Sequence, residues 1–138
     1  MMTAPLMWKV RNPVGDRANF GFRQGQDVIY LYGHWAGYEM LKTLADALDH
    51  AKPRWGDVAY GTRWTISNII GTDWAGEYGW GLTVNVLRDN EHSIPVVDFE
   101  QGTVSLHGYD WKTEGDVMRP NAKFTMTIPE FVDKYRSK

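Results

Sequence analysis

The chain lacks cysteine, long apolar runs and any cluster of basic residues. Without cysteine, disulfides, thiolate metal sites and a cysteine nucleophile are excluded. No stretch approaches the roughly 20 apolar residues that a membrane-spanning helix requires. Positions 1–15 contain no apolar run typical of a signal peptide. We therefore expect no membrane association and a location in the cytoplasm of the cell that makes the protein.

The charge is nearly balanced, with 15 Lys and Arg against 17 Asp and Glu and a formal net charge of -2. Proteins bind polymeric nucleic acid mainly through clustered basic residues that neutralise phosphates. Here the basic residues are scattered among acids. We predict no binding to polymeric DNA or RNA, while individual arginines can still hold a small anionic ligand.

Aromatic residues, by contrast, are abundant, with seven Trp and seven Tyr among the 138 residues. The hydrophobic fraction of 43% and the charged fraction of 23% are typical of a globular protein. The length fits one domain spanning residues 1–138. A core of this size does not easily hide all the rings, which favours a binding surface.

Two strands and two helices are predicted in the first half of the chain. Residues 18–23 and 27–33 (DVIYLYG) have strand composition and pair as a hairpin across residues 24–26. Apolar residues at helical spacing then predict a long amphipathic helix that ends before Pro53: Leu41, Leu44, Ala45 and Leu48. Residues 54–57 are predicted as a loop, and residues 60–70 favour a second helix over a strand.

The second half is predicted to form a meander of three or four strands. Trp80, Leu82, Val84 and Val86 alternate with smaller or polar residues, which predicts a half-buried strand. Further strands are predicted at 94–99, 103–107 and 124–128, with a loop at 108–120. A short C-terminal helix begins near Pro129. We predict an α+β fold, with a mostly antiparallel sheet of five to six strands.

The junction between the second strand and the first helix carries the most suggestive residues, YLYGHWAGY at positions 30–38. A helix N-terminus attracts anions, while Trp35 and Tyr38 offer flat faces and His34 can exchange a proton. The functional interpretation is the edge of a pocket for a flat anionic ligand. The structural interpretation is a packed corner, in which Gly33 and Gly37 serve only the turn.

Arginine and aromatic residues elsewhere extend this hypothesis, because arginine binds phosphate and a ring stacks on a base. Neighbours in sequence need not face the same way, so packing alone also explains the Arg-Trp pairs. The predicted ligand-binding residues are His34, Trp35, Tyr38, Arg54, Arg63, Tyr78 and Trp80.

Catalytic patterns are sparse, since no HExxH, P-loop, nucleophile elbow or GxGxxG motif is present. A hydrolase site built from His34, Asp98 and Glu100 is conceivable if folding brings these residues together. The polar stretch 89–92 (DNEH) fits a solvated turn better than a metal site. The sequence favours a protein without catalytic residues, metal or cofactor.

Three segments resemble a family of small uncharacterised proteins of tailed bacteriophages. They are VIYLYGHWAGYEMLKTLADAL, which contains a YLYxHWxG signature, then RWGDVAYGTRWTISNII, and then EYGWGLTVNVLRDNEHSIPVVDFEQGTVSLHG. The likeness covers about residues 28–108, and Trp80 departs from the family pattern. It implies a phage accessory protein in the cytoplasm of an infected host cell, without implying an activity.

These observations favour a non-catalytic binder of a small anionic or nucleotide-like ligand, such as a host immune signal that a phage sequesters. Ligand pockets of small binders are often completed at subunit interfaces, so a homo-oligomer is expected. The alternatives are a protein-binding inhibitor of a host factor and a small hydrolase.

Overall fold

The computed structural model describes residues 15–108 and 122–138. Six strands form one sheet in the order β3-β2-β1-β4-β5-β6, with three α-helices. The strands are β1 Ala18–Gln24, β2 Asp27–Gly33, β3 Trp80–Val84, β4 Ile94–Asp98, β5 Thr103–His107 and β6 Phe124–Thr127. The helices are α1 Met40–His50, α2 Val58–Ile70 and α3 Ile128–Tyr135, with 3-10 turns at Lys52–Arg54 and Gly71–Ala75. The predicted α+β class, the sheet and the helices are confirmed.

The predicted hairpin of β1 and β2 is present, with Gln24 opposite Asp27, and β1 and β4 are the two middle strands of the sheet. All neighbouring strands are antiparallel except β1 and β4, which run parallel with Gly21 opposite Val96. The later strands were predicted as one meander, and this is wrong for β3. That strand returns to the free edge of β2, while β4 crosses to β1, because strand periodicity carries no information about the pairing partner.

The helices cover one face of the sheet, and their apolar stripes explain where they lie. Leu44 and Leu48 of α1 are fully buried in the main core beside Phe20 of β1. The helix ends at His50, and Pro53 falls in the following 3-10 turn, so the predicted loop at 54–57 begins one residue too early. The side chain of Asp57 then starts α2 by accepting a hydrogen bond from the Tyr60 amide at 3.1 Å.

A smaller apolar cluster lies on the opposite face of the sheet. Val28 and Tyr30 of β2 are buried there with Ile94 and Val96 of β4, while Leu31 faces the helices. This alternation is the two-residue period of a strand. The central strands are therefore buried on both faces.

The predicted burial of β3 is wrong, although its alternation is correct. Leu82 and Val84 are 60% and 62% exposed, whereas Trp80 packs against the main core. The reason is that β3 is an edge strand whose apolar side faces an open cleft beside α2.

The C-terminal part of the fold is nearly as predicted. Ile128 begins α3 instead of ending β6, because Thr127 caps the helix and Pro129 occupies its first turn. The predicted loop at 108–120 lies outside the described residues beyond Gly108. Within the described ranges, no helix has the length and apolar character needed to cross a bilayer.

Candidate functional site

A cleft of about 630 Å³ separates α2 from the edge of the sheet formed by β2 and β3. This volume is within the usual range for small-molecule sites. Its walls are mainly apolar, and its polar side chains belong to β1, β2 and α2. The lining residues are Phe22, Arg23, Gln24, Asp27, Ile29, Val58, Ala59, Thr62, Arg63, Ile66, Leu82 and Val84.

The geometry of both walls follows from local structure. Val58, Thr62 and Ile66 are four residues apart and therefore share one face of α2. On the sheet side, Ile29 lies directly opposite Val84 in the β2–β3 ladder. The two elements thus present aliphatic side chains to each other across the cleft.

Two guanidinium groups and one carboxylate contribute charge to this cleft. Arg23 donates from Nε to the Gly25 carbonyl at 2.8 Å and lies 3.9 Å from an oxygen of Asp98. Arg63 is exposed, with Nη1 3.3 Å from the Ser67 hydroxyl. The Asp27 carboxylate accepts a hydrogen bond from the Asn85 side-chain amide at 2.9 Å. Because a carboxylate already lies near Arg23, Arg63 is the better anchor for an anionic ligand.

A second, polar cluster lies at the junction that the sequence singled out. The His92 Nε2 and the Asp16 Oδ1 are 2.5 Å apart. Asp16 also donates its backbone N–H to the His34 carbonyl at 2.8 Å and accepts one from Gly37 at 2.9 Å. These bonds fix the turn between β2 and α1 to the segment before β1.

Tyr32 and His34 form a hydrogen-bonded pair within this cluster, with the hydroxyl 2.7 Å from Nδ1. Burial raises the pKa of the Tyr32 hydroxyl, and the nearby positive charge of Arg17 opposes this change. The Arg88 guanidinium lies 5.4 Å from the centre of the Tyr32 ring. The pair is thus held among charged neighbours at the end of β2.

Some of the predicted aromatic residues near the junction are packed together, and others are exposed to solvent. His34 and Trp35 contact each other edge to face at 4.5 Å, and Gly33 leaves room for the Trp80 ring. Tyr38 and Tyr78 instead point into solvent, at 80% and 75% exposure. The half-buried rings therefore belong to a packed corner.

The two predicted arginines lie in different places. The Arg54 guanidinium stacks 4.7 Å above the Tyr60 ring, while its neighbour Trp55 turns inward and donates to the Leu48 carbonyl at 2.9 Å. Arg63 lines the cleft. Among the described residues, the structure does not gather the predicted rings and guanidinium groups around one hollow.

The start of α1 also differs from the expected anion site. The helix begins at Met40, and its N-cap is Glu39, with φ +56°. The Glu39 carboxylate lies 3.4 Å from the Lys42 ammonium. A negative side chain at this position opposes the binding of an anion.

The conceivable hydrolase site is not assembled. Gly33, next to His34, lies opposite Ala18 at one end of β1, whereas Asp98 pairs with Arg23 at the other end. Five residues of extended strand correspond to about 17 Å. Within residues 15–108 and 122–138, no three His, Asp or Glu side chains are arranged to hold a metal ion.

The residues of the cleft were largely missed by the sequence interpretation, apart from Arg63. The sequence signal that pointed to the cleft was β3 itself, in which apolar residues occupy every second position and no residue is charged. The Asp16–His92 pair had no comparable signal, because its partners are far apart in sequence.

Comparison with known proteins gives no further identification. Models of protein families, curated proteins and solved structures all yielded no match to this chain. The likeness to a phage family therefore stays a prediction made from the sequence.

Proposed function

We propose that this protein is a non-catalytic binder of a small anionic ligand, which it holds in the cleft between α2 and the β2–β3 edge. The observation that carries the proposal is the composition of this cleft, in which aliphatic walls meet exposed Arg63. Ligand sites are commonly concave and mostly apolar, with a few polar groups that orient the ligand.

The flat or apolar body of the ligand would pack between Ile66 on α2 and Leu82 on β3. Its anionic group would bind the Arg63 guanidinium, which can donate two parallel hydrogen bonds. A nucleotide-like ligand fits these requirements if its base packs on aliphatic side chains. Stacking on Trp35 or Trp80 is not needed, because neither ring lines the cleft.

The resemblance to phage proteins suggests a biological setting for such a binder. A phage protein that sequesters a nucleotide-derived immune signal in the host cytoplasm needs affinity and no turnover. The nearly balanced charge also suits a small ligand better than a nucleic-acid polymer.

Calorimetry and thermal shift against nucleotides, cyclic nucleotides, fatty acids and aromatic carboxylates test this proposal. We expect at least one compound to bind, and Arg63→Gln to weaken binding by about 10- to 100-fold, as for a lost hydrogen bond to a charged group. Arg54→Gln is the matched control, since Arg54 stacks on Tyr60 away from the cleft, and it should bind normally.

Two results would contradict the proposal. One is the absence of heat and of any melting shift across the panel. The other is an equal loss of affinity in the Arg54 and Arg63 variants, which would place the ligand elsewhere.

Exposed aromatics favour a second candidate, a protein-binding inhibitor of a host factor. Trp74 is 65% exposed and, like Tyr78, belongs to the segment between α2 and β3. Trp and Tyr contribute much of the binding energy at protein interfaces. For this function, a pull-down from host lysate should recover a partner in stoichiometric amount. Binding of that partner should be lost in Trp74→Ala and Tyr78→Ala and retained in Thr125→Ala.

A further inference from the structure

The outer edge of β3 carries backbone groups that no described strand pairs with. On the inner side, the His34 amide donates to the Gly79 carbonyl at 2.9 Å, and the Asn85 amide donates to the Val28 carbonyl at 2.8 Å. In an antiparallel ladder every second residue points its N–H and C=O at the same neighbour. The residues that direct these groups outward are therefore Trp80, Leu82 and Val84.

We propose that β3 pairs antiparallel with β3 of a second copy of this chain, about a two-fold axis at Leu82. The two sheets would then join into one, and the strand of the second copy would extend the cleft wall that Leu82 and Val84 form. The pairing itself does not depend on the identity, or the existence, of a ligand.

The sequence of β3 is complementary to itself in this register. Leu82 lies opposite the partner's Leu82, and Trp80 lies opposite the partner's Val84. Residues opposite each other in antiparallel strands share a face of the sheet, so apolar side chains meet apolar side chains. On the other face, Gly81 lies opposite the partner's Thr83, and these small side chains leave no clash.

The features that normally prevent edge pairing are missing from this strand. Soluble proteins protect exposed edges with charged residues, proline or bulges. The β3 sequence WGLTV contains neither a charge nor a proline, and its ladder with β2 is continuous. An exposed apolar edge of this kind is typical of an interaction site.

Charge favours a second copy over an unrelated strand. Glu77 precedes β3 and Arg88 follows it, and both residues are exposed. Antiparallel pairing about Leu82 carries the partner's Glu77 to the end of β3 from which Arg88 follows, so opposite charges lie there. The same charge pairing recurs on both sides of the axis, as a symmetric dimer requires.

Sedimentation velocity on ligand-free protein tests the proposal. The wild-type protein should sediment with twice the 15.8 kDa mass of one chain. Leu82→Lys should raise the dimer dissociation constant at least about tenfold, because two lysines then lie directly opposite each other. Tyr38→Lys alters an even more exposed residue outside β3 and should remain dimeric. Circular dichroism establishes that each variant is folded.

A cross-link gives a readout that does not depend on a destabilising change. The chain has no cysteine, so Leu82→Cys introduces a single thiol at the axis, and a short bis-maleimide should join two chains. Tyr38→Cys should remain uncross-linked.

A monomeric wild type would overturn the proposal. A dimer that Leu82→Lys does not weaken and that Leu82→Cys does not cross-link would also overturn it. Failure of the ligand proposal is distinguishable, since it would leave a dimer that binds no compound of the panel. Ligand binding by a monomer would instead remove the dimer and leave the ligand site.

Discussion

The Nε2 atom of His92 and the Oδ1 atom of Asp16 are 2.5 Å apart, which joins the loop before β4 to the segment before β1. The Gly37 backbone passes directly beside this pair. A side chain at position 37 would occupy the space in which the two groups meet.

Gly37→Ala tests this close packing. Its Cβ would overlap His92 Nε2 and lie 2.5 Å from Asp16 Oδ1, so we expect a loss of about 1–3 kcal/mol in the free energy of unfolding. Gly56→Ala is the control, because the space around position 56 is open. Equal urea midpoints for the two variants would show that the Asp16–His92 contact does not constrain Gly37.

Asn19→Asp tests the attachment of the β3–β4 connection to the sheet. The fully buried Asn19 amide donates to the Asp89 carbonyl at 3.2 Å and lies 3.1 Å from Asn90 Oδ1. A carboxylate here would face acceptors without a proton to donate, and we expect a loss of about 2–4 kcal/mol. Chemical denaturation measures this loss in the free energy of unfolding. Asn68→Asp, at a half-buried position, should lower the free energy of unfolding by less.

The stability should depend on pH through His107. Burial lowers the pKa of its imidazole, and the positive charge of Arg23 lowers it further. The folded state therefore favours the neutral ring. The contribution of neutral His107 to the free energy of unfolding is fully present above the ordinary histidine pKa of about 6.5. It decreases as the pH is lowered from there, because the unfolded chain takes up the proton first. This decrease continues until the pH passes below the pKa of the folded state.

His107→Gln should reduce this decrease in the free energy of unfolding, measured between pH 7 and 5. The exposed His50→Gln is the matched control for replacing an imidazole. An unchanged slope in His107→Gln would assign the pH dependence to other groups.

The start of α3 depends on a capping box between Thr127 and Glu130. Thr127→Ala should cost about 1 kcal/mol in thermal or chemical unfolding, and Thr125→Ala, on the exposed side of β6, should cost less. Hydrogen bonds from the backbone and then the hydroxyl of Thr127 lower the pKa of the Glu130 carboxyl. This contribution is present above the ordinary glutamate pKa and is lost as the pH falls through the folded value.

Local patterns predicted most of the elements because each pattern is decided within a few residues. Leu44 and Leu48 on one stripe give α1, and residues 27–33 give β2. The position of β3 could not be predicted in this way. Whether Leu82 faces a core or a cleft depends on how far α2 extends over the sheet, which no strand period records.

The candidate site was less predictable for a similar reason. Arg54 and Arg63 each precede a tryptophan, yet only Arg63 lies in the cleft, because side-chain direction depends on the element that carries each residue. Asp16 and His92 meet only when β1 is in place between its neighbours. Contacts of this kind depend on tertiary structure.

The parallel pairing of β1 with β4 has a consequence for how the chain folds. β1 can form its hairpin with β2 early, but its other neighbour, β4, is synthesised only after α1, α2 and β3. Non-local pairings of this kind slow folding, typically to milliseconds or longer. During that interval the incomplete sheet exposes Phe20, which is buried in the finished protein. The nascent chain is therefore most prone to aggregate before Asp98 emerges.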